Sequence, residues 1–411
     1  MAKPTLATIP AAFGTKLYSV LPSTGVGDFT FTRASSATRI ARTGYIETVA
    51  SGDSRLDYQL NPDGTVQECP HYLLEPARTN LVTYSEDFSQ SVWQKISVGS
   101  ASAPIIASNF AVSPDGTQNA TRVQFNISGS TSSDNSYLQS VFALDGSSSY
   151  TLSFYIKSNT GVNQDLSVWL NSVANNITVT NEWVRVEQTF SSNSTSNRGF
   201  GLAASGNIQQ IVDVLIFGFQ LEQGSYPTSY IPTNGTAITR AAETATGSGD
   251  AATFNDSEGV LMFEVSTLTS GGSNRIISLT DGTSANKLEF NFDTISNRFT
   301  LVFAANSLNQ YIVQLALNEI NFNKIAVKYK ANDFALWING IELNSQLSGN
   351  TSLSNSFDRI NLANQSGGFN FYGNTKQLQY FDSTLTDAQL ETLTSWITFQ
   401  AMVAAQLYTI Y

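Results

Sequence analysis

Hydrolytic chemistry needs a nucleophile, an acid–base pair or a metal, and this chain offers few side chains for any of them. Its one histidine, His71, lies beside Cys69 and Pro70 in a loop-like setting, with neither GxSxG nor another nucleophile motif to accompany it. It reads as a satisfied or solvated histidine. A carboxylate pair is the next prospect, because Glu289, Asn291 and Asp293 alternate along one strand and so share a face. Four strand steps set the outer two about 13 Å apart, beyond the roughly 5–9.5 Å that paired glycosidase carboxylates span. This strand reads as a half-exposed sheet face, and the chain as not an enzyme.

Stacking on flat rings is the chemistry better represented. Sugar binding without catalysis rests on aromatic rings against apolar sugar faces, flanked by side chains that hydrogen-bond hydroxyls. Trp169 alternates away from the face that carries Val168 and has Asn171 close by, which makes it the first candidate. Trp337 with Tyr372 is the comparable pair later in the chain, and Trp93 and Trp183 are weaker candidates. Each ring equally suits a core or an interface.

The elements that position these residues are strands. Tyr150, Leu152, Phe154 and Ile156 alternate, as do Leu166, Val168 and Leu170, and strand-length runs recur from Val260 to Tyr380 with Gly, Asn and Ser between them. Asn339-Gly340 between two such runs is a hairpin signal. Gln220 to Glu243 breaks the rhythm: Pro227 and Pro232 bar a helix or central strand there, so the segment should lie extended along a surface. Asp213, inside the apolar run Ile211–Phe219, would be costly to bury alone, which favours solvent at a sheet edge. Near the end, Thr386 with Gln389 three residues on is a capping box, and Asp387 suits the first turn of a helix.

Bulk composition narrows the partners. At 411 residues the chain has room for two or three domains, and only 13% of it is charged. The net charge is −11, yet residues 1–80 balance seven basic against seven acidic side chains, so the acidity lies beyond them. An acidic bulk argues against nucleic acid and anionic membranes. A single cysteine excludes an intrachain disulfide, a single histidine excludes a multi-histidine metal site, and no apolar run approaches membrane-spanning length. The N-terminus lacks a signal-peptide layout, so folding in a reducing cytoplasm is expected.

Longer stretches carry a resemblance. FTRASSATRI, GYIETV, RLDY and LLEPARTNL within residues 28–93, then QLEQGSYPTSYIPTNG followed by ITRAAE, resemble structural proteins of tailed bacteriophages with a carbohydrate-binding-module-like jelly roll. NKIAVKYKANDFALWINGIEL and GFNFYGNTKQLQYFDSTLTDAQLETLT look like a concanavalin A-like, or laminin-G-like, domain of phage fibres. The resemblance implies an all-β chain: an irregular virion attachment segment (1–80), a jelly roll (81–243), a linker (244–254), a concanavalin A-like sandwich (255–385), and a short C-terminal helix and tail (386–411).

It further implies a virion fibre or appendage on head or tail, made in the host bacterial cytoplasm, probing host surface glycans multivalently as a homotrimer. Other virion proteins would be met through the opening segment by Arg33, Arg39 and Arg42, unless these pair with acids of their own unit. Capsid decoration is the alternative. No cofactor is implied beyond a structural calcium ion, with Asp213 as ligand beside Glu86 or Asp87.

Overall fold

The computed structural model describes residues 2–10, 16–17, 19–60, 65–67, 69–143, 145–170, 173–191 and 197–396. Among them the fold is almost entirely β-sheet, with one short helix, Asp387–Thr394. Two double layers hold the two large cores.

In the first, one five-stranded sheet runs in the order Ile105–Ala111, Ala120–Asn126, Ile211–Gln223, Ser149–Ser158, Val184–Ser191. The other runs Val173–Val179, Gln164–Leu170, Asn197–Ser205, Asn135–Ala143, Gln94–Val98. Phe154, Ile216 and Phe219 from the one meet Leu138, Leu166 and Leu202 from the other in a single buried cluster. The alternation sets this up, since Leu166, Val168 and Leu170 point inward and Trp169 is left outside.

In the second double layer, the sheet Leu308–Ala316, Arg298–Ala305, Lys287–Phe292, Arg275–Thr280, Arg359–Asn361 faces an eight-stranded sheet. Phe290, Leu301 and Phe303 pack there against Leu261, Tyr329 and Leu336. The hairpin at Asn339-Gly340 forms as its dipeptide predicts, with φ of 53° and 86°. The capping box also forms: the Gln389 backbone N–H donates to Thr386 Oγ1 at 3.3 Å, and the Thr386 N–H to Gln389 Oε1 at 2.9 Å.

Strands of the opening residues join a sheet built from the far end of the chain. Leu6–Thr8 and His71–Leu74 both pair with Gly373–Phe381, and Leu56–Asp57 pairs with His71–Leu74, so all three belong to the eight-stranded sheet. Leu6, Phe29, Tyr72 and Leu74 lie in the second core. Gln220–Glu243 is not a surface strap. Ile238–Arg240 pairs with Arg78–Asn80, and Thr228, Tyr230, Arg240 and Glu243 are all buried. Thr244–Thr246, within the expected linker 244–254, is a strand paired with Phe29–Thr32.

What draws these segments inward is a buried ion network. Arg33 Nη1 lies 2.7 Å from Glu243 Oε1, and Arg55 Nε donates to the same oxygen at 2.9 Å. Arg55 Nη2 and Arg240 Nη1 lie 2.8 and 2.9 Å from Glu75 Oε2, which also accepts from Ser229 Oγ at 2.6 Å. Burial alone would raise the Glu75 pKa, but Arg240 and Arg55 outweigh it and hold the carboxyl down at about 2. Burial would likewise lower the Arg55 pKa, and Glu243 and Glu75 reverse it. For Arg33 burial prevails over Glu243, and its pKa falls below the ordinary value.

Removing one partner strands a buried charge. Glu243→Gln should therefore cost about 3–5 kcal/mol in chemical denaturation, whereas Arg39→Ala, whose partner Glu47 is 44% exposed, should cost at most about 1 kcal/mol. Equal losses would remove the network from its central place. A carboxyl whose folded pKa is depressed stabilises the fold above its ordinary value. Acid titration should thus show stability falling as pH drops from 4.5 toward about 2, and Glu75→Gln should flatten that fall.

Candidate functional site

Trp169 stands on the outer face of the sheet that carries it, and the register assembles its neighbours. It lies opposite Gly201, which lies opposite Gln139, which in turn pairs with Gln94. One step along, Ser167 lies opposite Ala203 and Ala203 opposite Tyr137. The strand between the two rings therefore presents Gly199, Gly201 and Ala203. Those small residues are what admit the indole: a Cβ at Gly199 would sit 2.8 Å from Trp169 Nε1. At Gly201, φ is 151° and a Cβ would fall 2.0 Å from the Leu138 carbonyl oxygen, so only glycine lets the strands approach.

The Tyr137 ring centroid is 5.9 Å from that of Trp169, with the planes inclined at 60°. Around the rings, Gln139 Nε2 donates to Gln94 Oε1 at 3.1 Å and Ser167 Oγ to Asn176 Oδ1 at 2.7 Å. Trp169 Nε1–H has no partner. Two half-exposed rings over a floor of small residues, rimmed by amides and a hydroxyl, match the needs of a sugar ring: an apolar face to cover and hydroxyls to bind.

The remaining candidates are placed differently. Asn171 lies outside the described residues. Trp337 is 7% exposed, packed beneath Leu385, Leu390 and Leu393 at the helix, so no sugar can stack on it. Tyr372 packs against the main core of the second double layer, whereas Trp337 belongs to the helix-side cluster, so the expected pair does not form. Trp93 is core, ringed by Phe88, Phe200 and Phe219. Trp183 packs beside the cluster of Ile46, Tyr155, Phe217 and Tyr230. Of the arginines, Arg33 is spent on Glu243 and Arg39 meets Glu47, while Arg42 is exposed.

Asp213 is not at an edge, because its strand is the middle one of five. Its carboxylate is met by Arg122, with Nε 2.9 Å from Oδ1, and by Asn159 Nδ2 at 3.1 Å. The calcium ligand set implied by the resemblance does not fit that arrangement. Among the described residues no group of three or more His, Cys, Asp or Glu side chains is placed to hold a metal. Glu289 pairs with Lys287 at 2.9 Å. Asp293 is bound by Arg298 at 2.7 and 2.8 Å, which holds its pKa down at about 2.

One cleft was invisible to alternation. Tyr84, Glu86, Asp87, Asn109, Asn119 and Asn234 line an opening of about 530 Å³ on the first double layer. Burial raises the Glu86 pKa, with Asp115 adding to it, against hydrogen bonds from Tyr230 Oη at 2.7 Å and Asn119 Nδ2 at 3.1 Å. Its residues come from separate segments of the chain, which only the fold gathers. Asn109 takes a left-handed φ of 54° where the strand register shifts, a conformation that Asn tolerates.

No family model matches the chain, and no curated protein matches it. Similar solved structures exist. The Ruminococcus gnavus IT-sialidase CBM40 bound to α2,3 sialyllactose is 13% identical, with a TM-score of 0.30 over 34% of this chain and 83% of that one. Domain 4 of AbnA, a GH43 extracellular arabinanase from Geobacillus stearothermophilus, in complex with arabinotriose, is 12% identical, with a TM-score of 0.30 over 38% and 73%. The K499G mutant of NanB sialidase from Streptococcus pneumoniae is 12% identical, with a TM-score of 0.29 over 34% and 24%.

These are sialidase and arabinanase modules, not phage virion proteins. The expectation drawn from the resemblance is corrected accordingly, both for a virion fibre or decoration protein and for virion partners, trimeric assembly and virion location. The docking role given to Arg33 fails on geometry as well, because its side chain is wholly buried.

The glycine floor can be tested directly. Gly199→Ala should push the Trp169 indole aside, shifting the one indole N–H cross-peak that Trp169→Phe removes, with thermal stability little changed. An unmoved cross-peak would mean that the floor does not set the ring.

Proposed function

We propose that this chain is a non-catalytic carbohydrate-binding protein that holds a saccharide on the outer sheet face of its first double layer, across Trp169 and Tyr137. The observation that carries the reading is the pair of rings 5.9 Å apart over the Gly199–Gly201–Ala203 strand, with Gln94, Gln139 and Ser167 at the rim. The finer fold reading belongs with it: a carbohydrate-binding-module-like jelly roll, followed by a concanavalin A-like sandwich. Support for that reading comes from the antiparallel pairing of the named strands within both double layers and from their two-sheet cores.

Binding without catalysis is supported by the state of the strand carboxylates. Glu289 and Asp293 each carry a cation partner, and on the proposed face Asp165 accepts from Thr178 Oγ1 at 2.6 Å. Neither arrangement offers a protonated acid opposite a free base, as glycoside hydrolysis requires.

The test is titration calorimetry of the full chain against a panel of soluble oligosaccharides. Trp169→Ala should weaken binding roughly tenfold, the scale of one lost stacking contact with its buried area, and Tyr137→Ala should weaken it less. Both variants should melt within a few degrees of the parent. Wild-type affinity in Trp169→Ala would sink the assignment of this face.

A further inference from the structure

A second cavity, of about 210 Å³, lies where the opening segment and both double layers meet. The opening segment gives it Asp57 and His71, the first double layer Tyr155 and Arg185, and the second Leu268 and Asn374. Its polar wall is unfinished. His71 is 2% exposed, yet Nδ1 has no partner, and its Nε2 is 3.4 Å from Asp57 Oδ2. Arg185 Nη2 donates to Ser153 Oγ at 2.9 Å and to the Thr228 carbonyl at 2.7 Å, but its buried Nε–H has no partner.

We infer that this cavity is a ligand site for a single sugar ring, distinct from the outer face of the first double layer. Charge narrows the ligand first. Arg39 is matched by Glu47, and Glu75 by Arg55 and Arg240, which leaves Arg185 and the Asp57–His71 pair in the lining. One cation with one carboxylate suits an uncharged molecule that both donates and accepts. Size comes next: the volume equals that of roughly seven waters, about one hexose. The apolar wall decides between those two occupants. Ile40, Ile46, Leu268 and the Tyr155 ring also line the space, and they hold the C–H face of a sugar better than they hold water.

His71 is the only histidine of the chain, so histidine-selective ¹⁵N labelling of the full protein yields one imidazole that reports on this cavity alone. Glucose, galactose, mannose and N-acetylglucosamine, each added at millimolar concentration, are the probes. At least one should shift the imidazole resonances saturably. Leu268→Trp, which fills the space, should abolish the shift, and Asn374→Ala should weaken it roughly fivefold to tenfold. Trp169→Ala should leave it unchanged, so the two sites fail or stand separately. If none of the four sugars moves the resonances, or if the shift survives intact in both cavity variants, the cavity holds water only and the inference falls.

Discussion

Everything in this molecule hangs on charges taken out of water together. Arg33, Arg55 and Arg240 are set against Glu75 and Glu243, and the buried carboxylate of Glu222 accepts from Thr228, whose hydroxyl in turn accepts from Arg240. Three guanidiniums thus meet three carboxylates, and the cluster closes near neutrality. Such a network is a poor source of net stability, because the desolvation of each ion offsets most of the attraction. It is, however, highly specific. Its members come from FTRASSATRI, RLDY, LLEPARTNL, QLEQGSYPTSYIPTNG and ITRAAE, separate stretches of the chain, so the pairing ties each of those segments to the others.

That specificity explains which parts of the fold were legible. Alternation found the long strands, because a sheet with one buried face repeats its apolar residues every second position over many residues. Leu56–Asp57 and Leu6–Thr8 span two and three residues, too short for any period, and arginines such as Arg33 and Arg55 carry no apolar period either. The same arginines are buried because their partners are too, a fact that lies in the pairing and in no single stretch. Trp337 shows the complementary limit. Alternation places it outside the main core, but the short helix settles on that face, and a covering element elsewhere in the chain leaves no mark on the strand it covers.

The sugar-binding face was half legible. Trp169 stood out because Leu166, Val168 and Leu170 take the inward positions. Tyr137, Gln139 and Gln94 did not, since they come from strands whose register with Gln164–Leu170 is known only once the sheet is built. The glycines of Asn197–Ser205 looked like weak points of a strand, and their use is to clear room for a ring.

The pairing of Leu6 with Tyr380 has a bearing on how the protein is made. Residues 81–223 supply both sheets of the first double layer and can close on themselves as they leave the ribosome. The opening strands cannot, because their partner Gly373–Phe381 is synthesised roughly 300 to 375 residues later, an interval of roughly 15–75 s at ordinary elongation rates. Through that interval Leu6, Tyr72 and Leu74 have no sheet to join. Chain growth thus imposes an order of assembly, in which the first double layer forms as a core around which the two ends of the chain later close.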